Sequence, residues 1–350
     1  MRPHPAPLAA ALDLRQGRVE QAHGSGGRAM THLIETLFMA AFDPGAAPLA
    51  EDAACLERPA GRLVLSTDSH VVSPLFFPGG DIGCLAVNGT LNDLAMRGAQ
   101  PLYLAASFIL EEGLPLADLQ RIVASMAQAA RAAGVAIVTG DTKVVERGKG
   151  DGVFITTTGV GVVADGLEIS ASRAQPGDLI LLSGALGDHG LAVLAQRENL
   201  RFETPILSDT AALHGLVAAL LVTAPDGLHC LRDPTRGGLG CALNEIARQS
   251  GVGMRLREAA IPVHEPVRAL CEFLGLDPLY IANEGKLLAI VAAEAAPAVL
   301  AALRAHPLGS EAMLIGEVVA DEDRFVDMET LLGGRRLVDW PSGELLPRIC

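Results

Sequence analysis

Val135-Ala136-Ile137-Val138-Thr139-Gly140-Asp141-Thr142-Lys143 decides how the fold is read. Residues 135–139 are apolar or β-branched and follow Gly134, which predicts a short buried strand. The strand runs straight into a carboxylate, a hydroxyl and an ammonium group: Asp141, Thr142 and Lys143. In mixed α/β folds ligands gather at the ends of such strands. An aspartate can hold Mg2+ and a lysine can neutralise a phosphoryl group, so the junction suits nucleotide chemistry. A surface salt bridge at a turn is the competing reading.

Upstream, 101–110 reads as a strand. Leu116, Leu119, Ile122, Val123, Met126, Ala127 and Ala130 then recur with helical period up to Gly134. Before them, 63–68 is a strand with Asp68 at its end, and 74–80 is a turn. Asp81 stands where a cap of a helix over 82–97 belongs, and metal binding is its alternative role. That helix carries Asn88 and Asn92, which share a face at i and i+4, and Asp93. A carboxylate within so apolar a helix either faces solvent or meets a cation. Further upstream, His23-Gly24-Ser25-Gly26-Gly27 feeds the periodic set Met30, Leu33, Ile34, Leu37 and Phe38. Such a loop offers unpaired N–H groups to an anion or is a plain turn, and it lacks the lysine and spacing of a Walker loop. Residues 1–19 are expected to fray, and 43–61 reads as a surface connection.

A strand over 153–163 closes this half, and 165–176 reads as a linker. The second half opens with a strand over 179–182 and a helix starting at Gly187-Asp188-His189-Gly190. Asp233-Pro234-Thr235-Arg236-Gly237-Gly238 repeats the pattern of acid, hydroxyl, cation and glycines ahead of a helix, now over 239–249. Asn283-Glu284-Gly285-Lys286 places an acid and a base on a turn before a strand over 287–291; an ordinary polar turn is the alternative. The sequence ends in Leu346-Pro347-Arg348-Ile349-Cys350, where Pro347 favours an extended arm carrying a thiol at its tip.

Half of the 350 residues are apolar, enough for two domains with sizeable cores. The longest uncharged run, 210–225, falls short of the roughly 20 residues that span a bilayer, so no membrane segment is expected. Pro3, Pro5 and Pro7 break any secretory signal core, which points to the cytoplasm. A net charge of −14 opposes nucleic-acid binding, so phosphate binding would have to be local. The six cysteines show neither CxxC nor zinc-ligand spacing, which argues against a structural metal or a disulfide framework.

AHGSGGRAM at 22–30, STDSHVVSPLFFPGGDIG at 66–83, NDLA at 92–95, FILEEGLP at 108–115, VTGDTKVV at 138–145, DPTRGG at 233–238, NEGK at 283–286 and the final LPRIC together resemble the HypE family of hydrogenase-maturation proteins. That family belongs to the superfamily of aminoimidazole-ribotide synthetase and selenophosphate synthetase. The central motifs mark the superfamily, and the terminal PRIC marks the member. The resemblance implies a mixed α/β (α+β), two-domain fold like that of PurM, the aminoimidazole-ribotide synthetase. It divides the chain into a glycine-loop arm at 1–42, an ATP-binding domain at 43–165 that dimerises through its sheet, a C-terminal α/β domain at 166–340 and a flexible tail at 341–350.

The activity implied is ATP- and Mg2+-dependent dehydration of a carbamoyl group carried on Cys350 to a thiocyanate. A carbamoyltransferase, HypF, would load the group, and the cyanide would pass to iron on a HypC–HypD complex. Asp68, Asp81, Asp93 and Asp233 are the candidate metal ligands. His23, Gly24, Ser25, Gly26, Gly27, Asn88, Asp141, Thr142, Lys143, Thr235, Arg236 and Gly237 are the candidate nucleotide contacts. Glu284 is the candidate base, with Lys143 assisting, and Cys350 carries the substrate. A synthetase acting on a free small molecule, or a non-catalytic scaffold docking by its tail, are the rival readings; in the first the terminal thiol is dispensable, and the second tolerates loss of Lys143 and Glu284.

Overall fold

The computed structural model describes residues 12–42, 53–57, 59–200, 205–341, 343, 346 and 348–350. Pro347, the first eleven residues and most of the 43–61 connection lie outside the described residues.

The N-terminal half is built on four strands: β1 (Arg62–His70), β2 (Gln100–Glu111), β3 (Ala136–Val145) and β4 (Val153–Val163), in the order β1-β4-β2-β3. β4 pairs antiparallel with β1 and β2, and β2 pairs parallel with β3. Alternation sets the faces. In β2, Leu104, Ala106, Phe108 and Leu110 are buried, whereas Ile109 is 43% exposed. Two helices, α1 (Ile82–Met96) and α2 (Leu116–Ala133), cover the buried face. Asp81 caps α1, its carboxylate accepting from Gly83 N at 2.7 Å and Cys84 N at 3.1 Å. Gly134, at φ 69°, ends α2 in the left-handed conformation. Among the described residues nothing covers the opposite face, which exposes Leu63 and Leu65.

The opening stretch behaves differently from the expectation of a short buried strand. β3 runs on through Asp141, Thr142 and Lys143 to Val145 as the edge of the sheet, and most of its residues are exposed or half-buried. The apolar run of 135–139 signals a strand but not its place in the sheet. An edge strand with one covered face needs no second apolar side. The expected fraying is also not met over 17–19, because Val19 exchanges hydrogen bonds with Gly113 and Leu114, and Leu116 N donates to Gly17 O. Leu33, Leu37 and Phe38 join the N-terminal core from the helical run that begins at Arg28.

The C-terminal half holds a seven-stranded sheet in which the strand Leu288–Val291, second from one edge, is buried throughout. The helix Gly238–Ser250 packs on one side, and His214–Thr223 with Ala296–Ala305 pack on the other. Asn92 joins the halves. Its Nδ2 donates to Ala211 O at 3.0 Å and Glu284 O at 3.2 Å, and its Oδ1 accepts from Leu213 N at 2.8 Å. Asn88 Nδ2 donates to Thr210 Oγ1 at 3.2 Å on the same face. The i, i+4 asparagine pair therefore faces the second half rather than solvent, which is why α1 is buried nearly all round.

Candidate active site

The tail ends between the two halves. Val71 N donates to Cys350 O at 3.3 Å and Ser73 N to Arg348 O at 3.2 Å, so the last residues pair along the chain that leaves β1. Ile349 is buried in the N-terminal core, and Arg348 forms an ion pair with Asp151. This seats the Cys350 thiol beside Glu284, whose charge raises the proton affinity of the thiol.

Glu284 is only 3% exposed, and its Oε1 has no hydrogen-bond partner among the described residues. Burial, reinforced by Asp233, Asp209, Asp68 and Asp93, raises its proton affinity well above the usual carboxylate range. Asp233 is pushed up to about 7 by burial and then by Asp93. Burial also raises Asp93, although Ser66 Oγ donates to its Oδ2 at 2.7 Å. The Cys350 thiol is raised by burial and by Glu284, so it is protonated at neutral pH. Glu284, Asp233, Asp93 and Asp68 thus form one electrostatic group beneath the tail, with Arg236 as a nearby cation.

Local structure explains this convergence. Asn283 Nδ2 donates to Pro234 O at 3.0 Å, which ties the turn carrying Glu284 to the loop carrying Asp233, Thr235 and Arg236. Gly237 and Gly238, at φ 75° and 61°, turn that loop into its helix; a Cβ on Gly238 would lie 2.5 Å from Leu279 O. Lys286 does not pair with Glu284. Its Nζ lies 3.0 Å from Asp209 Oδ2, while Asp209 Oδ1 accepts from Glu284 N at 3.0 Å.

A second group forms around β3. Asp141 and Lys143 pair at 3.1 Å on the uncovered face, and Thr142 N donates to Asp141 Oδ1 at 2.8 Å. The glycine loop lies beside them: a Cβ on Gly24 would fall 2.6 Å from Val144 N. His23 Nδ1 accepts from Glu20 N at 2.9 Å and Ser25 Oγ donates to Ala22 O at 3.1 Å, while Gly26 and Gly27 are exposed. The register Ser69↔Thr156↔Ser107↔Asp141 crosses the whole sheet. Three strand spacings separate its ends, about 14 Å. Asp68 points to the α1 side, toward Asp93, and Lys143 to the uncovered side. Assistance of Glu284 by Lys143 of the same chain is therefore not met.

The candidate metal ligands divide. Asp68 raises the proton affinity of Asp93, and Asp93 and Asp68 both raise that of Asp233, so the three carboxylates share one space; such a set of hard oxygens suits Mg2+. Among the described residues no three such side chains are gathered closely enough to hold an ion alone, so phosphate oxygens would complete the shell. Asp81 does not join them, because its carboxylate is committed to Gly83, Cys84 and Ser125. Asp81→Ala is expected to cost about 1 kcal/mol of stability, the worth of an N-cap, with nucleotide affinity retained. Urea unfolding and an ATP titration check this; lost affinity at unchanged stability would return Asp81 to the ligand set.

The sequence reading missed Asp209 and the contacts of His189 and Ser208. Their signal is faint: a polar triplet, Ser208-Asp209-Thr210, ahead of an apolar helix, and a histidine in the first turn of another.

Two sheets flanked by helices, with an acidic site at their junction, define an aminoimidazole-ribotide-synthetase-like protein. The AIR synthase related N-terminal domain matches residues 50–163 and the corresponding C-terminal domain matches 175–329. The chain is 69% identical over 339 residues to the carbamoyl dehydratase HypE of Azotobacter vinelandii, covering 97% of this chain and 99% of that protein. A crystal structure of HypE in complex with ATP superposes with a TM-score of 0.90 at 53% identity, over 94% of this chain and 99% of that one. HypE from a HypE–HypF complex superposes with a TM-score of 0.78 at 50% identity, over 88% and 99%. The chain belongs to the HypE family of hydrogenase-maturation proteins.

Proposed function

We propose that this protein is an ATP-dependent carbamoyl dehydratase whose substrate is an S-carbamoyl group on its own Cys350, converted to a thiocyanate that supplies cyanide to the iron of a [NiFe]-hydrogenase. The observation that carries the reading is the Cys350 thiol docked beside the buried Glu284, whose Oε1 has no hydrogen-bond partner among the described residues.

Removing water from a primary amide requires a better leaving group than hydroxide. The amide oxygen takes the γ-phosphoryl group of ATP with release of ADP, and phosphate then departs as the nitrogen gives up its protons, leaving S–C≡N. Glu284 is placed to receive a proton from that nitrogen. Its raised proton affinity makes it a stronger base than an ordinary carboxylate. Asp68, Asp93 and Asp233 would hold Mg2+, which neutralises phosphate charge when bound. Arg236, with Thr235 and Gly237 beside it, faces the same space, and the buried tail keeps water from the reacting carbon.

The phosphate-suited groups, the 23–27 loop with Asp141 and Lys143, lie at the other sheet edge. A second copy seated on the uncovered sheet face would bury Leu63, Leu65 and Ile109. By two-fold symmetry it would set the loop and Lys143 of one copy against the carboxylates of the other. We therefore assign a homodimer with composite sites. A HypF-type carbamoyltransferase is the loading partner and a HypC–HypD complex the acceptor; a HypE–HypF complex among the similar structures supports the first.

Intact mass after incubation with the carbamoyltransferase, carbamoyl phosphate and ATP, followed by a further dose of ATP and Mg2+, tests this. One carbamoyl group should be gained and then one water lost, with neither change in Cys350→Ala. ATP hydrolysis without modification of Cys350 would sink the reading in favour of a free substrate.

A further inference from the structure

We infer that His189 is a positioning residue for this reaction: it donates from Nε2 to the Ile349 carbonyl at 2.9 Å and, together with Arg197, holds the tail so that the Cys350 thiol meets Glu284.

A carbonyl only accepts, so Nε2 carries the hydrogen. Ser208 Oγ lies 2.8 Å from Nδ1 and already accepts from Thr210 N at 3.2 Å, which leaves its own hydrogen to donate to Nδ1. The tautomer is thereby set by its neighbours. Burial lowers the proton affinity of the ring and keeps it neutral, and the edge-on ring of Phe77, 5.4 Å away at 89°, fixes its plane. Eight residues along the same helix, Asp188–Arg197, the Arg197 guanidinium bridges Ser73 O at 2.8 Å and Arg348 O at 2.7 Å.

The backbone oxygens of Arg348, Ile349 and Cys350 are therefore all held. Arg348 O takes Ser73 N and Arg197, Ile349 O takes His189, and Cys350 O takes Val71 N. The backbone donors come from the first half and the side-chain donors from the second. None of these bonds uses the sulfur. The same docking thus suits a free thiol and a substituted one, which is what a carrier tail requires if the proposed function holds. Ser208 also belongs to the triplet whose next residue fixes Glu284 and Lys286 and whose third accepts from Asn88. The group that orients the tail is thus covalently continuous with the one that orients the base.

The test is alkylation of Cys350 by iodoacetamide in the full-length protein without ATP or partner, followed by peptide mass spectrometry, with the buried Cys230 and Cys271 as internal controls. His189→Leu and Arg197→Ala should each raise the Cys350 rate about tenfold, the worth of one hydrogen bond in the docking equilibrium. His189→Gln keeps an N–H donor and should raise it less. Cys230 and Cys271 should stay unreactive. An unchanged Cys350 rate in both His189→Leu and Arg197→Ala overturns the inference. So does a rise that only tracks the two buried cysteines, which marks general loosening. Because the readout is docking alone, it stands apart from the mass experiment: if the tail docks as described and no carbamoyl chemistry follows, only the proposed function fails.

Discussion

Glu284→Gln is expected to accept the carbamoyl group on Cys350 at the wild-type rate and then fail to lose water, with the ATP-dependent step slowed about 10²- to 10⁴-fold, the usual range for removing a general base. Glutamine keeps the shape and the backbone contacts that Asp209 and Asn92 make with residue 284, so the loss would report chemistry rather than collapse. The electrostatics also set a pH dependence. The raised proton affinity shifts Glu284 toward its protonated form, and only the carboxylate form can take a proton from the substrate nitrogen. The single-turnover rate should therefore climb with pH through a range above that of an ordinary glutamate. Rapid quench of preloaded protein, read by intact mass, checks both points. A variant that dehydrates within threefold of wild type would remove Glu284 from the role of base and leave it a positioning group.

How much of this was legible in the sequence depended on whether a feature is local. Asp81 ahead of an apolar helix, Gly134 at the end of another and the i, i+4 asparagines are local patterns, and each appears in the structure where the spacing puts it. Placement was not legible. The run 135–139 reads as buried because its residues are apolar, but burial depends on how many neighbours a strand acquires, and among the described residues β3 pairs with only one strand. That the turn does not pair its own acid and base follows from a related point. Two residues on one turn look like partners, yet Asp209, 77 positions from Lys286, arrives between them. Cys350 was the most legible site residue, through its motif, and its docking by His189 and Arg197 the least, because backbone carbonyls leave no trace in residue types.

The other large effect concerns the sheet edge that the sequence reading joined to Glu284. Lys143→Ala alone is expected to lose nearly all ATP-dependent dehydration, since a phosphoryl group in flight needs its cation. Yet Lys143 is exposed, pairs among the described residues only with its neighbour Asp141 and faces away from the Glu284 of its own chain. If each site draws Lys143 from the second copy, two dead variants will rescue each other. Differently tagged Lys143→Ala and Glu284→Gln chains, co-expressed so that dimers form at random, should yield about a quarter of the wild-type activity: half the dimers are mixed, and each mixed dimer holds one complete site. The purified mixed dimer should carry nearly all of it. Were Lys143 to serve its own chain, one site of a mixed dimer would lack the lysine and the other the glutamate, and activity would stay at the level of the single variants. That outcome would dismiss the composite site while leaving the chemistry at Cys350 untouched. A leucine- and threonine-bearing sheet face, uncovered in one chain and carrying the lysine on its edge, is what a site shared between two copies requires.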